Sequence, residues 1–596
     1  MSKCATINTL TYISALYASK WNTGSIPVVA TLIRRHKHTE VCVSLFRLWR
    51  IFSFFLPYDA NFFLKFRVLC QENLTLRWSR PHLACLFAII KHTLYKSNTM
   101  LRKLRICLAT LFFVLVTALF LDFTGTIHVW FGWMAKIQFL PALLALNFVV
   151  VALLVVLTLV FGRIYCSVIC PLGVMQDIFA WMGKKSKKNR YTYSPAKSWL
   201  RYGVLVLFIA SLVFGSGVLA KLIAPYSAYG RIASSLLAPV WQWGNNALAY
   251  LAERAESYAF YETEVWLKST LTLGVAVVTL LLLAVLAWRG GRTYCNTICP
   301  VGTVLGFLSR FSWLRPVIDT DKCVDCGLCA KNCKSSCIDV DGHRIDYSRC
   351  VACMDCIEKC RKGAIRYAHK PSQGASCQCD ASKTEKVSDS RRAFLAGGAA
   401  FVASTALKAQ KMKVDGGLAT IEDKIAPKRE RHIVPSGALS ARHFAQHCTS
   451  CQLCVSVCPN GVLRPSSDLS RLMQPEMSYE RGYCRPECTK CSDVCPVGAI
   501  SPITREEKSS IQIGHAVWIR KNCIPVRDGR SCGNCERHCP TGAIQMVPLD
   551  EDGKGRLKIP VVNTERCIGC GACENLCPAR PFSAIYVEGH DSHRII

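Results

Sequence analysis

Acidic residues are scarce in this chain: 40 aspartates and glutamates stand against 73 lysines and arginines, a formal net charge of +33 over 596 residues. Three motifs are absent as well. There is no C-x-x-C-H run to attach haem, no G-x-G-x-x-G turn to hold a dinucleotide and no P-loop, which leaves haem, NAD and nucleotide hydrolysis without support. Low acid content on a soluble fold would suggest a nucleic-acid binder. Here the lysines and arginines sit in short clusters beside apolar segments, the distribution of cytoplasmic membrane loops, so no nucleic-acid partner is expected.

What the chain has in abundance is cysteine, 36 residues, together with 51% hydrophobic residues and a positive mean hydropathy of +0.23. Metal sites beside a membrane account for both. Residues 1–99 stand apart. They have few acids and no sustained helix or strand period, and their apolar run from Val41 to Pro57 is broken by Arg47 and Arg50. We expect a non-native or disordered N-terminal extension, the alternative being an acid-poor targeting arm, with the functional chain beginning at Met100. Cys4, Cys42, Cys70 and Cys85 lack ligand spacing.

From 100 to 315 the sequence predicts a four-span membrane domain. Its apolar stretches are Leu104 to Phe123, Phe139 to Phe161, Leu200 to Ala220 and Val265 to Trp288, each near the roughly 20 residues a bilayer requires. Arg102, Lys103 and Arg105 precede the first, Lys184, Lys185, Lys187, Lys188 and Arg190 follow the second, and Arg289 and Arg292 follow the fourth. Those sides should be cytoplasmic. Trp130, Trp133, Trp241 and Trp243 fall in the opposite loops, where an interfacial belt is favoured over a quinone pocket.

After the second and fourth stretches the pattern G-R-x-Y-C-x-x-I-C-P-x-G occurs twice, with Cys166 and Cys170 in one copy and Cys295 and Cys299 in the other. Cysteines four apart can share a helical face, so two such pairs at equal depth could supply the four thiolates of one 4Fe-4S cluster. The bland reading, reduced thiols packing helix ends, does not explain duplication of the whole pattern.

Residues 316–370 carry Cys323, Cys326, Cys329 and Cys333, then Cys350, Cys353, Cys356 and Cys360. Two C-x2-C-x2-C-x3-C runs in tandem are the spacing of a two-cluster bacterial ferredoxin, in which the fourth cysteine of each run ligates the other cluster. This assigns Cys323, Cys326, Cys329 and Cys360 to one cluster and Cys350, Cys353, Cys356 and Cys333 to its neighbour. Zinc ribbons instead pair two C-x2-C knuckles across a longer gap. Cys337, Cys377 and Cys379 have no place in the scheme.

A linker over 371–410 contains Ser390, Arg391, Arg392, Ala393, Phe394 and Leu395 ahead of a mildly apolar run to Ala409, which resembles a twin-arginine export signal. Beyond it, 411–596 holds four more groups: Cys448, Cys451, Cys454 and Cys458; Cys484, Cys488, Cys491 and Cys495; Cys523, Cys532, Cys535 and Cys539; and Cys567, Cys570, Cys573 and Cys577. Exchange of fourth ligands pairs the first group with Cys495, the second with Cys458, the third with Cys577 and the fourth with Cys539. About six clusters follow, or seven with the helix-end quartet.

On these motifs, Met100 to about Lys370 resembles NapH, the membrane ferredoxin-type quinol dehydrogenase subunit, and Ser390 onward resembles NapG, the twin-arginine-exported ferredoxin with four 4Fe-4S clusters, including the closing stretch Arg580 to Tyr586. The resemblance implies an apparent fusion of the two. It also implies an α-helical membrane bundle of four spans plus a signal-anchor helix, bearing α+β bacterial-ferredoxin-type domains. As a multi-pass protein of the bacterial inner membrane, it would keep the first ferredoxin in the cytoplasm and the last domain in the periplasm. Quinol would be the electron donor and a periplasmic reductase or electron carrier the acceptor. The alternative is a redox maturation or repair factor for a metalloenzyme. The second group opens C-x3-C and the third contains an eight-residue gap, both departures from the family pattern.

Replacing Arg391 and Arg392 with lysine is expected to leave the upstream apolar segments inserted while stranding the domain beyond Ala409 in the cytoplasm. Protease access in spheroplasts reports the side, and a wild-type domain already protected inside would refute the expected topology.

Overall fold

The computed structural model describes residues 98–186, 191–215, 217–369, 422–549 and 557–596. The chain divides into two units, Met1–His92 and Thr93–Ile596. The first unit lies outside the described residues, and so do the twin-arginine-like run, Cys377 and Cys379.

The helical part opens with α1 (Asn98–Leu121), whose first residues precede Met100. Then come α2 (Phe139–Leu144), α3 (Phe148–Phe161), α4 (Ile164–Val168), α5 (Pro171–Ser186), α6 (Ser198–Val213), α7 (Val218–Ile223), α8 (Pro225–Ile232), α9 (Ala238–Arg254), α10 (Thr270–Gly290), α11 (Thr293–Thr297) and α12 (Pro300–Leu308). Two helices, Met100–Leu121 and Thr270–Gly290, are long and apolar enough to cross a membrane, whereas α3 and α6 are shorter apolar helices. The expected second stretch is cut where Leu146 takes a positive φ of 53° and the Asn147 side chain caps α3 by accepting from Val150 N. The expected third ends at Gly215 and Gly217, with φ of 68° and 52°, a conformation that glycine adopts without steric cost and that stops a helix. Among the described residues, two continuous apolar helices of spanning length therefore stand where four spans were expected.

The outer faces of these helices are apolar and exposed: Leu111 and Val114 on α1, Phe148 and Leu153 on α3, Val278 and Leu281 on α10. Trp130, Trp133, Trp241 and Trp243 are exposed too. Contiguous apolar surface is rare on monomeric soluble proteins and marks contact with a membrane or another protein.

The first ferredoxin is closed by β1 (Leu314–Ile318) and β4 (Ile365–His369), paired antiparallel from Leu314 opposite His369 to Ile318 opposite Ile365. Inside them lies the short pair β2 (Ile338–Asp339) and β3 (Arg344–Ile345). The module thus begins at Leu314, ahead of the expected boundary at 316, because β1 is the strand that β4 needs as a partner. In the C-terminal part β5 (Leu463–Pro465) pairs with β6 (Pro475–Met477), β7 (Ile511–Trp518) with β10 (Ile585–Ile595), and β8 (Ile544–Pro548) with β9 (Lys558–Val562). The order strand, cysteine loop, hairpin, cysteine loop, strand is the same in 511–595 as in 314–369.

The two ferredoxin regions sit at opposite ends of the helices. At the N-terminal end of α1, Arg102 pairs with Asp355 at 2.7 Å and Glu358 at 2.6 Å, the Trp313 N–H donates to Leu159 O at 2.7 Å and the Tyr367 hydroxyl to Phe161 O at 2.6 Å. Past the other end of α1, Lys490 Nζ donates to Thr124 O at 3.3 Å. Gly230 lies so close to the Cys451 loop that a Cβ there would meet Cys451 O at 2.1 Å. Arg481 reaches Glu264 at 3.0 Å, and Val116, Leu119, Phe120, Tyr229, Leu453 and Val455 share one core. The 24 residues of α1 span about 36 Å, slightly more than the hydrocarbon thickness of a bilayer.

Asp177 on α5 ties the first ferredoxin to the bundle. Its carboxylate meets Arg292 at 2.9 Å, Lys334 at 3.5 Å and also Arg105. Burial opposes its charge, but Arg292, Lys334 and Arg105 overcome this and hold the carboxyl far below the usual carboxylate range. A depressed carboxylate pKa contributes stability above the unfolded value near 4, and that stability is lost as pH falls below it. Asp177→Asn is expected to cost about 3 to 5 kcal/mol at neutral pH, with the gap to wild type narrowing in acid. Thermal unfolding in detergent across pH measures it, and a pH-independent gap would contradict the ion-pair account.

Candidate metal centres

Each copy of the repeated pattern folds the same way. A helix ends at a glycine of positive φ (Gly162 and Gly291, both 67°), one turn carries the first cysteine (α4, α11), and the second cysteine precedes a proline that opens the next helix (α5, α12). Proline suits the first helical position because its missing N–H would be unpaired there. The cysteine before it then faces the positive end of the helix dipole. Cys299 caps α12, its sulfur accepting from Gly302 N at 3.3 Å, and the Gly173 N–H does the same for Cys170.

The two copies are locked by exchanged arginines. Arg163 from the first donates to Cys295 O at 3.2 Å, and Arg292 from the second donates to Cys166 O at 2.7 Å. Each guanidinium also lies 3.9 Å from the sulfur of its own copy, Arg163 at Cys166 and Arg292 at Cys295, and Gln176 donates to Cys295 Sγ at 3.2 Å. All four thiols are buried and lie within electrostatic reach of one another. Every sulfur thus faces at least one donor, an environment suited to thiolates bound to a metal.

The ferredoxin loops bring sulfurs together in five of the six groups expected from the spacing, and in the remaining one they gather Cys323, Cys326 and Cys329 without a contact to Cys360. Cys333 faces Cys350, Cys353 and Cys356. Cys495 joins Cys448, Cys451 and Cys454, Cys458 joins Cys484, Cys488 and Cys491, Cys577 joins Cys523, Cys532 and Cys535, and Cys539 joins Cys567 and Cys570, with Cys573 beside these two. Cys329 faces Cys323 and Cys326, while Cys360 accepts from Ala364 N at 3.2 Å. In four loops the residues flanking the second cysteine have positive φ: Asp325 and Gly327, Ala352 and Met354, Ser450 and Gln452, Gly569 and Gly571. Alternation of this kind turns successive backbone N–H groups toward one point and makes an anion nest.

The two groups of irregular spacing enclose visible voids. One, of about 450 Å³ counting space open to solvent, is lined by Cys458, Cys484, Cys488 and Cys491 with Lys508 alongside. The other, of about 320 Å³ on the same measure, is lined by Cys523, Cys532, Cys535 and Cys577. Burial pushes Cys353, Cys451, Cys535 and Cys570 up to about 12, so metal binding must displace their protons. Groups of mostly buried or half-buried sulfurs with backbone donors, two of them lining voids, fit 4Fe-4S clusters, and the cysteines named are those that would hold them.

Some participants were not legible in the spacing. Cys337 is buried with its sulfur 3.5 Å from Cys333 Sγ, and Lys508, donating to Arg485 O at 2.8 Å, stands over the Cys484 group. Burial works against its ammonium, yet Cys484 and Cys491 hold its pKa above the usual lysine value. A lone lysine on a short helix carries no sequence signal for that role.

Comparison with known proteins agrees with this chemistry. A family described as a 4Fe-4S binding domain matches residues 143–189 and 272–318, which contain the two repeat copies. A 4Fe-4S dicluster domain matches 447–499 and 530–580. The chain is 32% identical over 189 residues to the methylamine utilization ferredoxin-type protein MauM of Paracoccus denitrificans, covering 30% of this chain and 77% of that protein. From Escherichia coli K12, the ferredoxin-type protein NapF is 28% identical over 180 residues (30% of this chain, all of NapF). NapG of the same strain is 29% identical over 182 residues (28% of this chain, 77% of NapG). No solved structure matches the chain.

A Cβ on Gly302 would lie 2.2 Å from Cys295 O and 2.9 Å from Arg163 Nη2, whereas one on Gly203 meets nothing within 4 Å. Gly302→Ala is therefore expected to lower bound iron and sulfide by one cluster's worth and Gly203→Ala to leave both unchanged. Equal iron in the two variants would show that the crossed-arginine packing is dispensable for loading.

Proposed function

The chain belongs to the family of ferredoxin-type iron-sulfur proteins that includes MauM, and on that footing we propose that it carries electrons across a bacterial inner membrane, from quinol to a periplasmic reductase or electron carrier. The observation that carries this reading is the docking of two cysteine-rich regions at opposite ends of apolar helices, with the buried quartet between them. When bound, a 4Fe-4S cluster supplies one-electron exchange with little rearrangement, at a potential set by hydrogen bonds, charge and burial.

The chain's own residues orient that relay in the bilayer. Apolar faces on α1, α3 and α10 supply the lipid contact, and the basic residues Arg102, Lys103, Lys184, Lys185 and Arg289 gather at the end that bears the first ferredoxin. That bias favours a cytoplasmic first ferredoxin and a periplasmic C-terminal domain. Burial of the quartet keeps water from its thiols, and the bonds from Arg163 to Ser348 O and from Arg292 N to Lys334 O tie the first ferredoxin beside it. The fusion of a NapH-like membrane part to a NapG-like domain would place both halves of the relay on one chain.

The test uses the loaded, full-length protein in liposomes of bacterial phospholipid, with decylubiquinol as donor and membrane-impermeant ferricyanide as acceptor. Sustained reduction of ferricyanide on the side of the C-terminal domain is expected. A single reduction of the clusters with no continuing turnover would overturn the proposal in favour of a maturation or repair factor.

A further inference from the structure

Among the described residues the three largest fully buried side chains are arginines, Arg163, Arg231 and Arg292, each 0% exposed. Arg292 has an anion in Asp177, with Nε to Oδ1 at 2.9 Å. The other two have no carboxylate partner among the described residues. Arg163 donates to Asn296 Oδ1 at 2.9 Å, Ser348 O at 3.1 Å and Cys295 O, and Arg231 donates to the carbonyls of Lys221 and Leu222. The repeat explains the asymmetry: the position in the second copy that corresponds to Asp177 is Gly306, where a Cβ would lie 2.0 Å from Arg201 Nη2. Arg201, also buried, donates to Ser348 O at 2.8 Å. A second cation thus stands beside Arg163 in place of an acid.

Neither position is incidental. Arg163 stands between the quartet, at Cys166, and the Cys350 group of the first ferredoxin. Arg231 follows Gly230, where a Cβ would meet Cys451 O of the C-terminal domain at 2.1 Å. It donates to Leu222 O beside Ile223, whose carbonyl accepts from the Tyr294 hydroxyl at 2.6 Å, and Tyr294 in turn faces Cys295 and Cys299. A buried guanidinium without an anion is strongly disfavoured, and a cluster held by four thiolates is an anion.

Resting on the reading that the quartet holds such a cluster, we infer that Arg163 and Arg231 are positioning residues whose charge sets the reduction potential of the thiol-bound groups on either side of them. Arg163 acts on the quartet and on the Cys350 group, and Arg231 acts on the Cys448 group. A fixed positive charge favours the more negative, reduced form, so neutralising either arginine lowers the potential of the groups it faces.

The experiment is an anaerobic redox titration followed by electron paramagnetic resonance on the full-length loaded protein, with Cys166→Ser identifying the quartet's signal by its loss. Arg163→Gln should move the quartet and Cys350 signals to lower potential. Arg231→Gln should move the Cys448 signal, neither should move the Cys567 signal, and Arg163→Lys and Arg231→Lys should stay near wild type. Should Arg163→Gln lose the quartet's iron, Arg231→Gln, whose hydrogen bonds go to no cysteine, decides the matter. Quartet and Cys448 signals present at unchanged potentials in the glutamine variants would overturn the inference. A Cys166→Ser protein with full iron and every signal intact would instead refute the quartet as a cluster site.

Discussion

A guanidinium cannot be stripped of water in an apolar interior unless something negative or strongly polar replaces that water, and the helical part of this protein is arranged around arginines in that condition. Arg163 and Arg292 exchange backbone carbonyls between the two copies of one motif. This reciprocal exchange turns two sequence-distant turns into a single site. The glycines three residues beyond each second cysteine exist in that role because any side chain would collide with the same carbonyls. Remove the arginines and the copies lose the contact that sets their spacing, and with it the geometry of four sulfurs.

The pseudo-symmetry ends where the first ferredoxin attaches. On one side, Asp177 gathers Arg105, Arg292 and Lys334, joining α1, α5, the second repeat copy and the ferredoxin through one carboxylate. On the other, Gly306 leaves room for Arg201, and Ser348 O accepts from both Arg163 and Arg201. The ferredoxin is thereby held by a lysine in an acidic contact and by a carbonyl in a basic one. Two identical halves could not have produced both.

Much of the site was legible because cluster ligation fixes cysteine spacing tightly. The exchange of the fourth cysteine between runs puts Cys333 beside Cys350, Cys353 and Cys356 and Cys495 beside Cys448, Cys451 and Cys454, as spacing alone implies. The fold was less legible. Hydropathy averages over Leu146 and Asn147 and over Gly215 and Gly217, so it joins segments that backbone geometry separates. The start of β1 at Leu314 was hidden because its partner β4 lies some fifty residues on, and the docking of the C-terminal domain rests on Gly230, Lys490 and Arg481, which belong to no motif. Positive φ at Ala352, Met354, Ser450 and Gln452 could not be read either, since none is glycine. Such strain persists only where the surroundings over-determine it, as at ligand-holding sites.

The irregular cysteine gaps gain a physical meaning from these loops. Where the run is C-x2-C-x2-C, two left-handed residues curl the backbone tightly and its N–H groups turn inward. In the Cys484 group no residue from Cys484 to Cys491 has positive φ, and between Cys523 and Cys535 only Gly529 does. Extra residues relax the loop, the nest cannot form in the same way, and each of these two groups lines a void. Fewer inward N–H groups alter hydrogen bonding to sulfur, one of the influences that set a thiolate-bound cluster's potential. The departures that make these runs poor matches to a spacing rule are therefore what set these two cysteine groups apart from the four regular ones.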